Sequence, residues 1–338
     1  MNNLKNKIVF SGVQPSGDLH IGNYLGAIKN FIEMQHEYDC LFCVVDLHAI
    51  TVKQDPIELK NNTYEVVATY IACGIDPKKS IMFNQSSVPC HAELAWILNC
   101  VCRMGWLNRM TQFKEKAGHD RENVSSGLFS YPTLMAADIL LYKATHVPVG
   151  NDQKQHLELT RDIAQKFNND FKAKNFFPLP EPFIDKNISR IMSLRNGLEK
   201  MSKSDESNYS RISLMDDNDS IEKKIKKAKT ADIVMPETEK EINDLPEVNN
   251  LLNIFSGVTK KSKLDLIKIY RGQNFSGFKE NLSQALIEII HPIKSEVSRL
   301  MNDKKYLDSV IKNGSEKANE RAMKTLTEVY DIVGFIKK

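Results

Sequence analysis

Short apolar runs alternate with helix-like stretches through the first half of this chain. The apolar runs lie at residues 7–10, 40–46 and 81–84, and the helix-like stretches between and after them include 56–73 and 91–102. Strands and helices that alternate in this way form a parallel sheet with helices on both faces, and such sheets bind ligands at the carboxyl ends of their strands. The pattern therefore predicts an α/β fold with a doubly wound, Rossmann-like parallel sheet and a site at that edge.

The strand pattern fades in the second half of the chain. A helical block at 132–143 is followed by a short strand at 147–150 and by a last strand-like piece at 183–193. From Ser213 onward the pattern is almost wholly helical. We therefore predict a sheet-containing domain followed by a helical one.

Glycines and a proline divide the helical part. We expect Gly272, Gly277 and Gly314 to break helices there, and Pro292 to interrupt a long one. Together the patterns predict a Rossmann-like first domain at 1–195 with an inserted helical segment at about 100–145, a linker at 196–204, a helical domain at 205–300, and C-terminal helices at 301–338 that could pack back on the first domain.

The bulk composition is that of a globular protein. Of 338 residues, 41% are hydrophobic and 26% are charged, and the formal net charge is only +3. A surface for RNA must therefore be local. No apolar run approaches the roughly 20 residues that a membrane span needs, and the N-terminal residues lack the apolar stretch of a signal peptide. These observations predict a cytoplasmic protein with no membrane partner.

Six cysteines raise the question of a metal site. Cys40 and Cys43 have CxxC spacing, and Cys100 and Cys102 lie close together. Zinc ligands normally sit in turn-rich knuckles, whereas Cys40 and Cys43 lie in a buried-strand pattern in which positions three apart face opposite sides. We therefore interpret the cysteines as buried structural thiols and predict no metal site.

Two loops carry the groups best suited to a phosphate ligand. The first loop, residues 15–23, reads Pro-Ser-Gly-Asp-Leu-His-Ile-Gly-Asn, and it lies between an apolar strand and a helix-like stretch. A strand, a glycine turn and a helix start aim backbone N–H groups and a positive helix end at an anion. The lysine loop, residues 200–204, reads Lys-Met-Ser-Lys-Ser. We predict that both loops bind one nucleotide.

Each loop also has an alternative interpretation. Gly17 and Gly22 have the spacing of a phosphate-binding P-loop, but that motif needs Lys and then Ser or Thr next, whereas Asn23 and Tyr24 follow here. Taken by itself, the lysine loop could be a solvated charge cluster at a linker. The presence of both loops in one chain favours the nucleotide site.

The two loops resemble the HIGH and KMSKS signatures of the class I aminoacyl-tRNA synthetases. The stretch at 10–17, Phe-Ser-Gly-Val-Gln-Pro-Ser-Gly, resembles the tryptophan branch of that class, in which Asn is usual at the signature position that Asn23 occupies. Stretches at 227–232, 250–254 and 278–293 continue the resemblance. It therefore covers nearly the whole chain.

The resemblance implies an ATP-dependent ligase. Such an enzyme activates L-tryptophan to tryptophanyl-adenylate and transfers it to the 3′-terminal adenosine of tRNA(Trp), with release of AMP and diphosphate. ATP is then a substrate, and Mg²⁺ is carried mainly by its phosphates. The resemblance further implies a homodimer, no DNA partner, a catalytic first domain, and an anticodon-binding function for the helical domain at 205–300.

The chemistry of activation needs positioned positive charge, because the amino-acid carboxylate itself attacks the α-phosphate and diphosphate leaves. His20 and Asn23 are donors at a helix start, Gly22 allows close approach, and Lys200 and Lys203 can follow the diphosphate. The resemblance implies an ATP site formed by Gln14, Pro15, Ser16, Gly22, Asn23, Gly150, Asn151, Asp152, Ile191, Lys200, Met201, Ser202, Lys203 and Ser204. It also implies that Lys116, on a mobile loop, joins His20, Asn23, Lys200 and Lys203 as a catalytic residue.

We predict that the amino-acid specificity comes from the helical block. Tyr131, Met135 and Asp138 share one face of a helix, and a carboxylate is an apt acceptor for an indole N–H, which can only donate. The alternative is that Asp138 forms an internal ion pair and Met135 is plain core. The predicted tryptophan site comprises Phe10, His48, Tyr131, Met135, Asp138, Val147, Val149 and Gln153, with Gln153 bound to the ammonium group.

Three other functions remain open at this point. The sister tyrosine enzyme shares both signatures, but it would need a different set of Tyr and Asp residues for a phenol. A small-molecule nucleotidyltransferase could use a related glycine–histidine loop, and a non-catalytic RNA-binding paralogue would not be expected to keep both loops. We expect the lysines of the run at 223–229 to contact the anticodon arm, although such a run can also be a solvated face.

Overall fold

Five parallel strands form the centre of the protein, in a computed structural model that describes residues 7–111, 123–150, 153–183, 190–203, 205–230 and 233–336. Their order in the sheet is β3-β2-β1-β4-β5. The strands are β1 (Ile8–Val13), β2 (Asp39–Val44), β3 (Ile81–Asn84), β4 (His146–Pro148) and β5 (Glu181–Phe183). The order reverses between β1 and β4, so the doubly wound fold predicted from the sequence is confirmed.

Helices surround the sheet, and the elements that begin at Asn218 or later in the described chain are all helical. A continuous helical segment consists of α1 (Ile21–Asn23), a π-helical turn (Tyr24–Ile28) and α2 (Lys29–Met34). In the sheet-containing part follow α3 (Asp46–Ala49), α4 (Pro56–Cys73), α5 (Cys90–Val101), α6 (Met104–Leu107), α7 (Ser126–Leu141) and α8 (Lys154–Asp170). The C-terminal helices are α9 (Asn218–Lys227), α10 (Glu239–Asn243), α11 (Pro246–Thr259), α12 (Lys263–Tyr270), α13 (Phe275–Asn302) and α14 (Lys304–Val333).

The two faces of the sheet bury separate hydrophobic cores. Val9 and Cys40 belong to the core that the sheet shares with α4 and the C-terminal helices, whereas Phe10, Leu41 and Cys43 belong to the core under α5, α7 and α8. Adjacent strand residues thus face opposite sides, as the pleat requires. Cys40 and Cys43 lie in different cores, on opposite faces of the sheet, as the strand pattern predicted.

Helix α14 returns to the sheet and lies along β3. Its close approach depends on Gly314, because a Cβ at that position would lie 1.7 Å from the carbonyl oxygen of Met82. Further along, the small residues Ala318 and Ala322 continue into the second core. A salt bridge of 2.6 Å between Arg321 and Asp39 fixes the helix at the edge of the sheet.

Some local predictions were wrong. Gly277 and Gly314 lie inside α13 and α14 rather than between helices, and Pro292 is accommodated within α13. β5 begins at Glu181, before the strand-like piece predicted at 183–193, and residues 184–189 of that piece lie outside the described residues.

The prediction of buried thiols was also wrong in part. Cys100 is exposed, and Cys73 and Cys102 are half-buried. Cys100 lies near the end of α5 and is exposed, so a free thiol there meets solvent.

Among the described residues, no helix is both long and apolar enough to cross a membrane. The domain boundaries stay a prediction.

Candidate active site

The first loop leaves the carboxyl end of β1 through a strained turn. Gly17 and Asp18 have φ values of 62° and 41°, in the left-handed region, which is comfortable for glycine and costly for aspartate. The backbone N–H of Asp18 donates to Oε1 of Glu65 on α4, at 3.3 Å. At the end of the loop, the backbone N–H of His20 donates to Oδ1 of Asn23, at 3.0 Å, so Asn23 closes the start of the helix.

The segment that follows the lysine loop pairs directly with the first loop. Ile21 donates its N–H to the carbonyl of Ile212 at 2.9 Å, and Leu214 donates to Leu19 at 2.8 Å. His20 lies in an isolated antiparallel bridge between these two bonds, opposite Ser213. This short ladder joins stretches that are nearly 200 residues apart in sequence. The two loops are therefore held at the same place.

Lys203 makes the direct contact between the loops. Its Nζ donates to the backbone carbonyl of Ser16 at 3.0 Å. Partial burial lowers the pKa of Lys203, and the nearby Asp18 carboxylate counteracts that shift. A cation of the second loop thus already lies on the backbone of the first.

His20 is buried beside these cations and resists protonation. Its pKa is lowered to about 4, by burial first and then by the charges of Arg211, Lys200 and Lys203. Among the described residues, its Nδ1 atom has no hydrogen-bond partner. The ring lies against Gly22, where a Cβ would be only 2.9 Å from Nδ1. His20 is therefore a neutral imidazole at neutral pH, held in the electropositive field that an anionic ligand would meet.

The lysine loop is paired with the preceding segment around residues 191–192, so that the two form a hairpin. Met201 donates its N–H to the carbonyl of Ile191 at 3.1 Å, and Met192 and Lys200 form a bridge. The Met201 side chain is only 1% exposed and packs in the first core. Ile191 packs against Gly22, with its Cβ 3.6 Å from the position of an added Cβ there. Met201 thus anchors the loop by its side chain.

The other residues predicted to bind the nucleotide differ in their exposure to solvent. Gln14 and Ser16 are exposed, whereas Pro15 between them is buried. The carbonyl of Gly150 accepts the N–H of Gln153 at 3.0 Å. Ser202 is half-buried on the lysine loop. Four predicted positions lie outside the described residues: Lys116, Asn151, Asp152 and Ser204.

Asp138 lies at the centre of a buried polar cluster formed by His48, His91 and Gln85. The carboxylate, 1% exposed, accepts from His48 at 2.7 Å on Oδ2, and from His91 and Gln85 at 2.6 Å on Oδ1. Burial alone would raise the pKa of Asp138, but the charges and hydrogen bonds of His48 and His91 lower it to about 2. Asp138 therefore remains a carboxylate. The internal pairing raised as an alternative exists, and it involves more partners than that alternative supposed.

Apolar and aromatic groups surround this cluster. Phe10 and Val147 are buried in the second core, and Met135 and Val149 pack half-buried against it. The Tyr131 hydroxyl lies 2.6 Å from Nε2 of His156, and its ring meets that of His48 edge-on at 6.0 Å. Gln153 begins α8. The predicted side chains thus come from five separate elements, and the apolar ones lie in or against the second core.

The two regions share an edge of the sheet. The first loop follows β1, and His48 follows β2, its parallel neighbour, where Val45 donates its N–H to the carbonyl of Val13 at 2.9 Å. The carboxyl ends of adjacent parallel strands are where a doubly wound fold binds ligands. An anion held by the loops and a small molecule held near Asp138 would therefore lie side by side.

Sequence reasoning missed several residues of these clusters. His91 begins α5 shortly after β3, and the rule that identified His48, a histidine just beyond a strand, could also have identified His91. Gln85 follows β3 directly. Arg211 was not predicted; its guanidinium donates to the Asp205 carbonyl at 3.1 Å and to Oδ1 of Asn208 at 2.9 Å, which braces the stem of the lysine loop.

The basic run of α9 is less free than the sequence indicated. Lys224 is buried and donates to both carboxylate oxygens of Asp216, at 2.8 and 2.6 Å. Lys229 forms an ion pair with Glu247 at 2.8 Å, and the Lys227 ammonium lies 4.4 Å from the centre of the Tyr209 ring. Three lysines of this run therefore have partners within the protein, which reduces what the run can offer to RNA.

A doubly wound sheet with a histidine loop and a lysine loop that meet beyond its first strand defines a class I synthetase type of catalytic domain. The family described as tRNA synthetases class I (W and Y) matches residues 2–291. The chain is 53% identical to a tryptophan–tRNA ligase of Brucella melitensis over 347 residues, which cover 97% of this chain and 98% of that protein. It is 55% identical to the tryptophan–tRNA ligase of Caulobacter vibrioides over 327 residues, or 97% of this chain and 95% of that protein.

A solved structure gives the same result at the level of the fold. The tryptophanyl-tRNA synthetase from Campylobacter jejuni, complexed with ADP and tryptophan, superposes with a TM-score of 0.82 at 32% identity, covering 97% of this chain and 100% of that one. The protein belongs to the tryptophan and tyrosine family of class I tRNA synthetases, and it is an aminoacyl-tRNA ligase.

Proposed function

We propose that the protein activates L-tryptophan with ATP and transfers it from the adenylate to tRNA(Trp), releasing AMP and diphosphate. The curated relatives at 53% and 55% identity are tryptophan–tRNA ligases, which favours tryptophan over tyrosine within the family. The single structural observation that carries the proposal is the contact between Lys203 and the Ser16 carbonyl. This contact supports a single phosphate site formed by both loops.

In the proposed first step, ATP lies along the first loop and the amino-acid carboxylate attacks its α-phosphate. Charge builds on the phosphorus and on the leaving diphosphate, and preorganised donors stabilise that charge. Lys203 exchanges the Ser16 carbonyl for a phosphate oxygen, with Lys200 beside it. Neutral His20 acts as a hydrogen-bond donor to the phosphates rather than as an acid, since its pKa is lowered to about 4.

Mg²⁺ would enter with the nucleotide. Within the described residues, no group of three or more His, Cys, Asp or Glu side chains could hold a metal ion. A small, strongly hydrated ion of this kind is commonly bound through substrate phosphates. The proposal therefore assigns the ion to the triphosphate and routes no step through a protein ligand.

The proposed amino-acid site is the cluster around Asp138. The carboxylate would accept the indole N–H while Phe10, Met135, Val147 and Val149 form the apolar walls. A hydrogen bond to a charged group contributes about 1.5–3 kcal/mol, which is enough to separate tryptophan from phenylalanine. Gln153 is proposed to bind the ammonium group.

We propose that the protein is a cytoplasmic homodimer whose helical domain binds the anticodon arm. Trp96 on α5 and Met104 on α6 are 70% and 65% exposed. Exposed aromatic and methionine side chains of this kind are enriched at protein interfaces. A second copy of the chain is the partner that the family resemblance favours for this surface.

Amino-acid-dependent ATP–pyrophosphate exchange, measured with each of the twenty amino acids, tests the proposal. We expect exchange with tryptophan and only weak exchange with phenylalanine and tyrosine. Exchange with tyrosine but not with tryptophan would make the protein the sister enzyme. Exchange that needs no amino acid would support the small-molecule nucleotidyltransferase instead.

A further inference from the structure

A line of hydrogen bonds runs from the back of the second core to Asp138. The Tyr142 hydroxyl lies 2.8 Å from Nε2 of His91, and Nδ1 of the same ring lies 2.6 Å from Oδ1 of Asp138. All three residues are buried; His91 is 0% exposed and Tyr142 is 4% exposed. None of the expected roles of the pocket residues uses His91 or Tyr142.

The chemistry of the partners sets the direction of this line. An ionised carboxylate can only accept, so Nδ1 of His91 must carry the proton that it shares with Asp138. Nε2 of the same ring shares the second hydrogen bond with the Tyr142 hydroxyl. Burial strongly raises the pKa of Tyr142, so the hydroxyl keeps its proton. The line therefore runs from hydroxyl to imidazole to carboxylate.

The far end of the line is attached to a predicted wall of the pocket. The Tyr142 ring stacks on Phe10, with ring centres 5.7 Å apart and an interplanar angle of 12°. Phe10 lies on β1, His91 on α5, and Asp138 on α7. The carboxylate is thus fixed relative to Phe10 by contacts that cross three elements.

The hydrogen bonds from the protein occupy most of the acceptor positions of the Asp138 carboxylate. A carboxylate has about four lone-pair positions. His48 uses one on Oδ2, and His91 and Gln85 use two on Oδ1. Three protein donors thus orient the group, and within the part of the chain that the structure describes one acceptor direction, on Oδ2, is left for a ligand.

We propose that His91 and Tyr142 are positioning residues for indole recognition. They hold the Asp138 carboxylate in the one orientation in which its remaining lone pair meets the N–H of the bound side chain. The inference rests on the proposed function and extends it, because it assigns part of the amino-acid specificity to residues that do not touch the amino acid. A purely structural role would stabilise the fold without distinguishing one ligand from another.

The experiment uses a pair of ligands that differ only in the donor. 3-Benzothienylalanine has the shape of tryptophan with sulfur in place of the N–H. In ATP–pyrophosphate exchange, the KM for tryptophan and the inhibition constant of this analogue are measured for the wild type and for Tyr142→Phe. The variant keeps the ring that stacks on Phe10 and loses only the hydroxyl.

We expect Tyr142→Phe to raise the KM for tryptophan by about three- to tenfold, the size of one net hydrogen bond, while the inhibition constant of the analogue stays unchanged. Tyr64→Phe is the matched control, since that hydroxyl donates to Asp308 at 2.6 Å on the opposite face of the sheet. It should change neither constant. Equal weakening of both ligands by Tyr142→Phe, or no change in either, would overturn the proposal.

A second variant keeps the test decisive if Tyr142→Phe folds poorly. His91→Asn places an amide donor near the position of Nδ1, so it can still donate to Asp138 but cannot reach Tyr142. We expect it to lose selectivity for tryptophan over the analogue by a similar factor. Selectivity equal to that of the wild type would overturn the proposal. A wild-type enzyme that activates no tryptophan would instead refute the proposed function itself.

Discussion

His20 illustrates how the environment of a single residue decides its chemical role. The sequence motif identified it as a phosphate-binding donor, and the structure adds that burial, and then the charges of three nearby cations, lower its pKa to about 4. Burial and like charge both disfavour the imidazolium. A motif specifies which side chain is present, but its charge state depends on Arg211, Lys200 and Lys203, which lie far along the chain.

This pKa shift makes a prediction about stability. Because the folded pKa lies below the value of 6.5 of a free histidine, the unfolded state takes up a proton as the pH falls below 6.5 and the folded state does not until about pH 4. The contribution of His20 to the free energy of unfolding is therefore fully present above pH 6.5 and decreases as the pH falls below that value. The loss at pH 5 is about 2 kcal/mol for this residue.

Urea unfolding of the wild type and of His20→Asn at pH 7 and pH 5 measures this effect. The variant should lose about 2 kcal/mol less stability between the two pH values, since asparagine does not titrate. The same substitution at the exposed His36 should leave the loss as in the wild type. An equal loss in wild type and His20→Asn would show that His20 protonates freely in the folded protein.

At the scale of elements, helix boundaries proved harder to predict than the sheet. The sequence predicted breaks at Gly277 and Gly314, yet both lie inside helices. Glycine weakens a helix by about 1 kcal/mol, and tertiary packing can override that cost. At Gly314 the reason is close contact between α14 and β3, which no local pattern contains. The first three strands, by contrast, were readable because each contains a short run of buried apolar residues.

The two glycines predict opposite outcomes for the same substitution. Gly314→Ala should destabilise the protein by about 2 kcal/mol, since overpacking against the Met82 carbonyl outweighs the gain in helix propensity. Gly277→Ala should stabilise by up to about 1 kcal/mol, because among the described residues no atom comes within 4 Å of its added Cβ. The midpoints of urea unfolding of the two variants, each compared with the wild type, test this prediction. Equal shifts in the same direction would mean that propensity alone governs both sites.

At the scale of the whole molecule, the site depends on contacts between residues far apart in sequence, and sequence patterns predict only some of these contacts. The two loops were recognised, and their approach is visible as the bond from Lys203 to Ser16. The partners of Asp138 were not recognised, because His91 and Gln85 come from elements about 50 residues away. Lys224 belongs to the basic run that was expected to contact RNA, although Asp216 binds it. Patterns identify elements and motifs; pairings between distant elements need the fold.

Lys203 provides a test of the joint site. Lys203→Ala should slow single-turnover adenylate formation by about 100-fold, the size expected for one preorganised donor to the leaving group, and should leave the affinity for tryptophan within twofold of the wild type. Lys166→Ala on the outer helix α8, where the lysine pairs with Asp170, is the control. An unaltered rate in Lys203→Ala would exclude the lysine loop from the chemistry.

A crystal structure with tryptophan and a non-hydrolysable ATP analogue tests the central claim, that both loops bind one triphosphate. The claim predicts that Nζ of Lys203 has left the Ser16 carbonyl and lies about 3 Å from a β- or γ-phosphate oxygen, with His20 facing the same phosphates. A triphosphate bound away from the first loop, with Lys203 still on Ser16, would contradict it.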